Sequence, residues 1–184
     1  MATIKISSLT ESTTLLAADI FPIVTGGNTR KITAANIQNY MSGSTKVTSV
    51  YMHNSNAPLS MNANQEYIIP FESAATGHDT GDYNLTNYKY TPTVAGWYNL
   101  TTHLNFTGNW AANVRLSIFK NNNIHKYIGS TYIGAGGAIA GNALVYFDGV
   151  SDYTEIRATH QGTGAQNLEN GTANTWFQAH WIKS

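Results

Sequence analysis

Residues 97–106 alternate without a break. Tyr98, Leu100, Thr102, Leu104 and Phe106 fall on one side of an extended chain, and Trp97, Asn99, Thr101, His103 and Asn105 fall on the other. Ten residues at period two specify a strand with one face in a core. A Thr91-Pro92 turn and an Ala95-Gly96 hinge precede it. The second face carries a Trp and no Lys or Glu, which is unlike a solvated sheet face. It predicts burial against a second body, and the expectation is a sister subunit.

A strand of this kind needs partners, and the rest of the chain supplies them. Residues 65–72 form an edge strand, demoted by Pro70. Residues 88–91 are a short strand. Residues 113–120 alternate, with Val114, Leu116 and Ile118 on one face and Arg115, Ser117 and Phe119 on the other. Asn121-Asn122-Asn123 reads as a hairpin turn, with 124–133 as the return strand. Residues 141–150, 153–160 and 174–183 complete the set. Eight to ten short strands with frequent turns predict a β-sandwich.

Composition removes several function classes. Only 11% of residues are charged, and Lys+Arg equals Asp+Glu at 10 each. A neutral chain lacks the electrostatic footprint of a nucleic-acid or anionic-membrane binder. So little charge also favours an oligomer that hides part of each subunit. There is no Cys, which removes disulfides and thiolate metal sites and leans toward a viral or bacterial source. The first residues lack the apolar run of a signal peptide. No stretch approaches the ~20 apolar residues of a spanning helix. The expected product stays soluble, or is assembled into a particle, without membrane insertion. Asn84, Asn99, Asn105 and Asn170 match the glycosylation sequon and read as chance matches in an Asn- and Thr-rich chain.

Residues 1–41 read as a separate small module. Phe21-Pro22-Ile23-Val24 and Arg30-Lys31-Ile32 flank a Gly26-Gly27-Asn28 turn, predicting a hairpin over 20–32. Thr33 caps a predicted short helix with Ala34, Ile37, Tyr40 and Met41 on one face. Forty such residues cannot bury enough surface to stand alone. Residues 42–64 have linker composition. Within them, Val47, Val50, Tyr51 and Met52 read either as one strand or as packing along a three-fold axis.

Two resemblances arise from these residues. Leu15-Leu16, Asp19-Ile20-Phe21-Pro22-Ile23-Val24, Thr29-Arg30-Lys31-Ile32-Thr33 and Asn36-Ile37 resemble the N-terminal segment of many tailed-phage fibre and appendage proteins. That resemblance implies a virion-attachment module. Over residues 65–184 four motifs in order resemble the C1q/TNF-like head. They are Tyr90-Thr91-Pro92 with Gly96-Trp97-Tyr98, Val114-Arg115-Leu116 with Lys120-Asn121-Asn122, Asp152-Tyr153-Thr154-Glu155-Ile156, and Trp176-Phe177-Gln178-Ala179-His180-Trp181. Ala179 stands where that family has Gly, Asn122 or Asn123 stands at the hairpin Gly, and Thr154 replaces a larger apolar residue. The implied fold is mainly β, a C1q/TNF-like jelly-roll sandwich behind a small N-terminal attachment module.

The resemblance also implies a homotrimer around a three-fold axis, with strands 97–106 and 176–182 side by side in the inner sheet. Tyr98, Leu100, Leu104, Phe106, Phe177, Ala179 and Trp181 then face the core. Trp97, Asn99, Thr101, His103, Trp176, Gln178 and His180 face the neighbouring subunits, joined by Glu155 and Arg157. His103 and His180 near an axis raise a metal or pH-switch reading, weighed against hydrogen-bonded interface histidines, which is the preferred reading. None of the six His has zinc-motif spacing.

Nothing in the motifs points to an enzyme, a cofactor or a metal. The acidic loop Gly77-His78-Asp79-Thr80-Gly81-Asp82 lacks the Ca²⁺-loop pattern. Gly134, Gly136 and Gly137 lack the strand-to-helix setting of a phosphate loop. No nucleophile motif occurs. Asp152, Glu155 and Glu169, widely spaced, are candidates for a glycosidase pair, but so few acids argue against catalysis. Amide- and aromatic-bearing loops suit sugar recognition as well as they suit plain solvent exposure, and Trp110 is the best candidate receptor contact. The resulting expectation is a virion protein. It is a trimeric short fibre or appendage that docks on other virion proteins through residues 1–41 and presents the head at 65–184 to a host-surface glycan or protein. A capsid or neck decoration protein without a receptor role, and a carbohydrate-binding module, are the alternatives.

Overall fold

In a computed structural model, the described residues are 20–25, 28–33, 46–52, 58–75, 81–107, 112–134 and 136–183. The chain divides into two compact units, Met1–Ser44 and Thr45–Ser184. In the first, β1 (Ile20–Thr25) and β2 (Asn28–Thr33) pair antiparallel, from Ile20 opposite Thr33 to Thr25 opposite Asn28. This is the hairpin that the Pro22 and Gly-Gly-Asn pattern predicts. The predicted helix lies outside the described residues apart from Thr33, which ends β2.

The second unit is all strand and turn among the described residues. Its strands are β3 (Val47–Tyr51), β4 (Ser60–Met61), β5 (Tyr67–Ile68), β6 (Ser73–Ala74), β7 (Tyr83–Asn84), β8 (Lys89–Tyr90), β9 (Gly96–Thr107), β10 (Ala112–Lys120), β11 (Asn123–Ile133), β12 (Ala138–Phe147), β13 (Thr154–His160), β14 (Gln166–Leu168) and β15 (Trp176–Lys183). They form two sheets. One runs β4-β14-β9-β15-β3-β6, with β12 on β9. The other runs β11-β10-β13-β8-β7, with β5 on β13.

The alternation of β9 explains the core between these sheets. Tyr98, Leu100, Thr102, Leu104 and Phe106 are all buried. Thr102 is tolerated there because its hydroxyl donates to the Trp176 carbonyl at 2.8 Å. From the same sheet come Val50, Val145, Phe147, Phe177 and Ala179; from the facing sheet come Tyr83, Tyr90, Val114, Leu116, Ile118, Ile156 and Ala158. The aromatic rings interlock. Phe177 lies 5.9 Å from Phe71, 6.0 Å from Tyr83 and 5.8 Å from Tyr90. Tyr98 and Phe147 meet edge-on at 5.5 Å. Such pairs add to the area that each ring buries.

Gly96 opens β9 with φ +143, and a Cβ there would sit 2.3 Å from the Lys183 carbonyl oxygen. No other residue lets β15 close this tightly against the start of β9. The stretch with linker composition contributes to the sandwich. β3 pairs with β15 and adds Val50, while Met52 and Met61 are also buried. Of the two readings left open for residues 47–52, the strand is the one observed. Its Ser- and Thr-rich sequence concealed it because only Val50 and the adjoining Met52 mark the inward face.

Candidate functional site

The outward face of the β9 sheet collects the residues that alternation sets opposite the core. In β15, Trp176, Gln178 and His180 lie beside His103, Thr101 and Asn99 of β9, and Lys183 lies beside Trp97. On the other flank of β9, Ala140, Asn142, Leu144 and Tyr146 of β12 stand opposite His103, Thr101, Asn99 and Trp97. On the far flank of β15, Tyr51, Ser49 and Val47 of β3 oppose Trp176, Gln178 and His180. Four strands thus present rows that read Tyr51-Trp176-His103-Ala140, Ser49-Gln178-Thr101-Asn142 and Val47-His180-Asn99-Leu144. These three rows contain no Lys, Arg, Asp or Glu. Lys183 enters only at the end, beside Trp97 and Tyr146.

The apolar groups on this face are large and open. Trp97 is 42% exposed, Tyr146 45% and Leu144 51%. The Trp97 and Tyr146 rings meet edge-on at 5.7 Å. Trp176 stacks on His103, with centroids 5.9 Å apart and planes 12° apart. His103 Nδ1 lies 2.6 Å from the Asn174 carbonyl oxygen, so Nδ1 is the donor. Gln178 donates to the Ser49 hydroxyl at 3.4 Å. A shallow cavity of about 140 Å³ lies between Ser49, Tyr51, Ala75, Thr172, Trp176 and Gln178. The face is preorganised by the Trp176–His103 stack and by the hydrogen bond that fixes the His103 ring. It offers aromatic and amide surface, the chemistry of a protein–protein contact rather than of catalysis.

All seven residues expected at the seam are therefore brought together. Alternation did not reveal their company: Val47, Ser49 and Tyr51 of β3, and Asn142, Leu144 and Tyr146 of β12. The available signal was the 144–147 run, Leu-Val-Tyr-Phe, whose two faces are both apolar. Glu155 and Arg157 do not join the face. They lie on β13, in the opposite sheet, where β13 pairs with β10. Period two tells which residues share a side of one strand but not which sheet that strand enters. Trp110 lies outside the described residues, as do residues 77–80 of the acidic loop.

The candidate catalytic carboxylates are each occupied separately. Glu155, buried, accepts from Arg157 Nε at 3.0 Å and Nη2 at 2.5 Å, with Lys89 Nζ 3.9 Å away. Asp152 holds Lys120 at 2.7 Å and the Asn121 amide at 2.7 Å. Glu169 accepts from the Asn105 amide. Desolvation opposes ionisation of Asp152, but the bonds from Lys120 and Asn121 outweigh it and lower its pKa. Asp148 is held well below the usual carboxylate range by the backbone N–H groups of Asp152, Val150 and Ser151 and by the Ser151 hydroxyl. Among the described residues no three His, Asp or Glu side chains form a metal-binding group. His160, fully buried, accepts at Nδ1 from Gly162 N–H and donates from Nε2 to the Met61 carbonyl.

The same architecture occurs in solved structures. The globular domain of a zebrafish complement 1qA protein superposes with a TM-score of 0.54 at 14% identity, over 76% of this chain and 99% of that one. The Eiger TNF of S. frugiperda gives 0.54 at 9% identity, over 76% and 94%. Murine APRIL gives 0.54 at 8% identity, over 75% and 99%. The fold is the C1q/TNF jelly roll. No protein-family model and no curated protein matches the sequence.

Within this C1q/TNF-type head, the departures noted in the sequence have local reasons. Ala179 is fully buried opposite Leu100, where a methyl group is accommodated. Thr154 is buried with its hydroxyl donating to the Phe119 carbonyl at 2.7 Å. Asn121 and Asn122 adopt φ of 51° and 64°, the left-handed geometry of a two-residue hairpin turn that Asn tolerates.

Proposed function

We propose that this protein is a non-enzymatic structural component of a tailed-phage virion, a short trimeric fibre or appendage. Residues 1–41 attach it to other virion proteins, and the C1q/TNF-like head faces outward toward a host surface. The observation that carries the assembly is the outward face of the β9 sheet, whose three central rows hold no charged residue and on which Trp97, Leu144 and Tyr146 are open to solvent in the single subunit. Soluble proteins rarely leave such a face uncovered. A cyclic trimer in which each head lays this face toward the axis covers it and closes without a free edge. Burying Trp97 and Trp176 contributes about 2–3 kcal/mol each per subunit. The attachment role rests on the resemblance of residues 9–37 to phage-fibre N-termini, and the hairpin of β1 and β2 agrees with that segment's pattern.

Native mass spectrometry of the full chain at micromolar concentration tests the assembly, with a trimer expected and a monomer overturning it. Immunogold electron microscopy of purified particles tests the location. Gold at a fixed site on the particle is expected, and particles free of the protein overturn the virion role.

A further inference from the structure

The outward face of the β13 sheet carries a second site, on the side away from the proposed seam. Pairing aligns Ser130 of β11, Arg115 of β10 and Thr159 of β13 in one row. The next row holds Tyr132 opposite Asn113, and Gln161 joins it through its N–H bond to the Asn113 carbonyl at 2.9 Å. Asn64, with φ 59° and its N–H on the His160 carbonyl, closes one end. Asn64, Asn113, Arg115, Ser130, Thr159 and Gln161 line an open cavity of about 460 Å³, within the range of about 300–1,000 Å³ of small-ligand sites.

Its chemistry is selective. The lining side chains are amides and hydroxyls, apart from Val114 and one cation, Arg115. Arg157, by contrast, is held by Glu155 and Glu66. No carboxylate among the described residues forms an ion pair with Arg115. Its guanidinium lies over the Tyr127 ring, 4.8 Å from the centroid. A guanidinium fixed against an aromatic face keeps its fork of donors for a planar bidentate acceptor. Amides and hydroxyls both donate and accept, as ring hydroxyls require. Tyr127 and Tyr132, 55% and 66% exposed, add apolar faces beside the cavity. A lone cation does not make a phosphate-backbone track.

We propose that this cavity binds a carboxylate-bearing sugar unit of an acidic polysaccharide. Arg115 holds the carboxylate, and Asn113, Thr159 and Gln161 hold the ring hydroxyls. The biological role of the site rests on the host-surface reading above, but the binding itself does not. Calorimetric titration of the full chain with galacturonate, glucuronate and sialate oligosaccharides, and with their carboxyl-reduced forms, tests it. Native mass is recorded on the same sample, so a failed trimer is told apart from a failed site.

At least one acidic series is expected to bind, and carboxyl reduction is expected to weaken it by about tenfold or more. Arg115→Ala is expected to do the same with an unchanged melting temperature, and Arg115→Lys to fall between. Should Arg115→Ala not fold, Ser130→Trp, which fills the cavity, serves in its place and is expected to abolish binding. The proposal is overturned if no acidic oligosaccharide binds, if the reduced form binds equally, if the folded variant retains affinity, or if poly-glutamate binds as tightly as the sugars.

Discussion

The two outward faces of the sandwich spend the same limited stock of charge in opposite ways. On the β13 face Arg157 bridges Glu155 and Glu66, also donates to Asn122 Oδ1 at 2.5 Å and lies 4.0 Å over the Phe119 ring. Lys89 reaches Glu155 and sits 3.9 Å over the Tyr153 ring. Nearby, Lys120 pairs with Asp152. On the β9 face the three central rows contain no charge and the aromatic rings stand open. Both sheets bury one side in the same core, so the core does not cause the difference. The β13 face carries ions that pair with one another at short range, Arg157 and Glu155 with 15% and 4% of their side chains exposed. A face meant to be desolvated avoids them, because an ion taken from water into a seam costs several kcal/mol.

The largest effect sets the scale for the comparison. Phe177 and Trp176 are neighbours on β15 with opposite directions. Phe177→Ala empties the centre of the aromatic cluster and is expected to destabilise the head by about 3–5 kcal/mol in urea unfolding at fixed protein concentration. Trp176→Ala is expected to spare the fold of the subunit and to weaken the trimer by about 2–3 kcal/mol per subunit. Sedimentation velocity across a dilution series reads the second effect. A Trp176→Ala protein that remains trimeric at the lowest concentration breaks the assignment of the β9 face.

The β13 face is expected to fail differently. Arg157→Ala removes the principal partner of a buried carboxylate and leaves it, among the described residues, Lys89 at 3.9 Å. The expected cost is about 2–3 kcal/mol of subunit stability, with no change in sedimenting mass. If the mass falls instead, the β13 face takes part in assembly and the contrast between the faces collapses.

How far the sequence shows this contrast depends on the strand. β9 and β15 are legible because large apolar residues alternate with polar ones over their length, and that alternation placed all seven expected seam residues on one side. β12 is harder. Ala138, Ala140, Gly141 and Ala143 give little amplitude to a period-two pattern. Gly141 must stay small, since a Cβ there would lie 2.3 Å from the Ile128 carbonyl oxygen. β3 is harder still, with a Ser- and Thr-rich sequence inside a stretch of linker composition. Glu155 was expected on the wrong sheet because strand order is a long-range property, set by which pairings close the sandwich. The polar cavity around Arg115 was not legible at all. It joins residues from β10, β11 and β13 and the loop at Asn64, and no local spacing records that meeting.

The smallest effect separates the faces by pH. Asp152 ties the β10–β11 turn to the β12–β13 turn, accepting from Lys120, from Asn121 and from the Asp148 N–H at 3.0 Å. Its pKa in the folded chain is depressed. The stabilisation it supplies is therefore full above its unfolded value of about 3.9 and is lost as pH falls through the lower folded value. Asp152→Asn is expected to cost roughly 0.5–1 kcal/mol at neutral pH, and the gap to the unsubstituted protein should close as acid protonates Asp152 in the folded chain. Melting temperature measured from pH 2 to 7 reads this, and parallel curves would remove Asp152 from the acid response. Gln178→Glu gives the opposite sign. It sets one carboxylate per subunit in central rows that have none, so the trimer is expected to dissociate at pH 7 and to re-form as the new groups protonate. A trimer restored by acid on one face, beside a turn weakened by acid elsewhere on the head, is the outcome that a desolvated seam and a set of paired ions require of a single head.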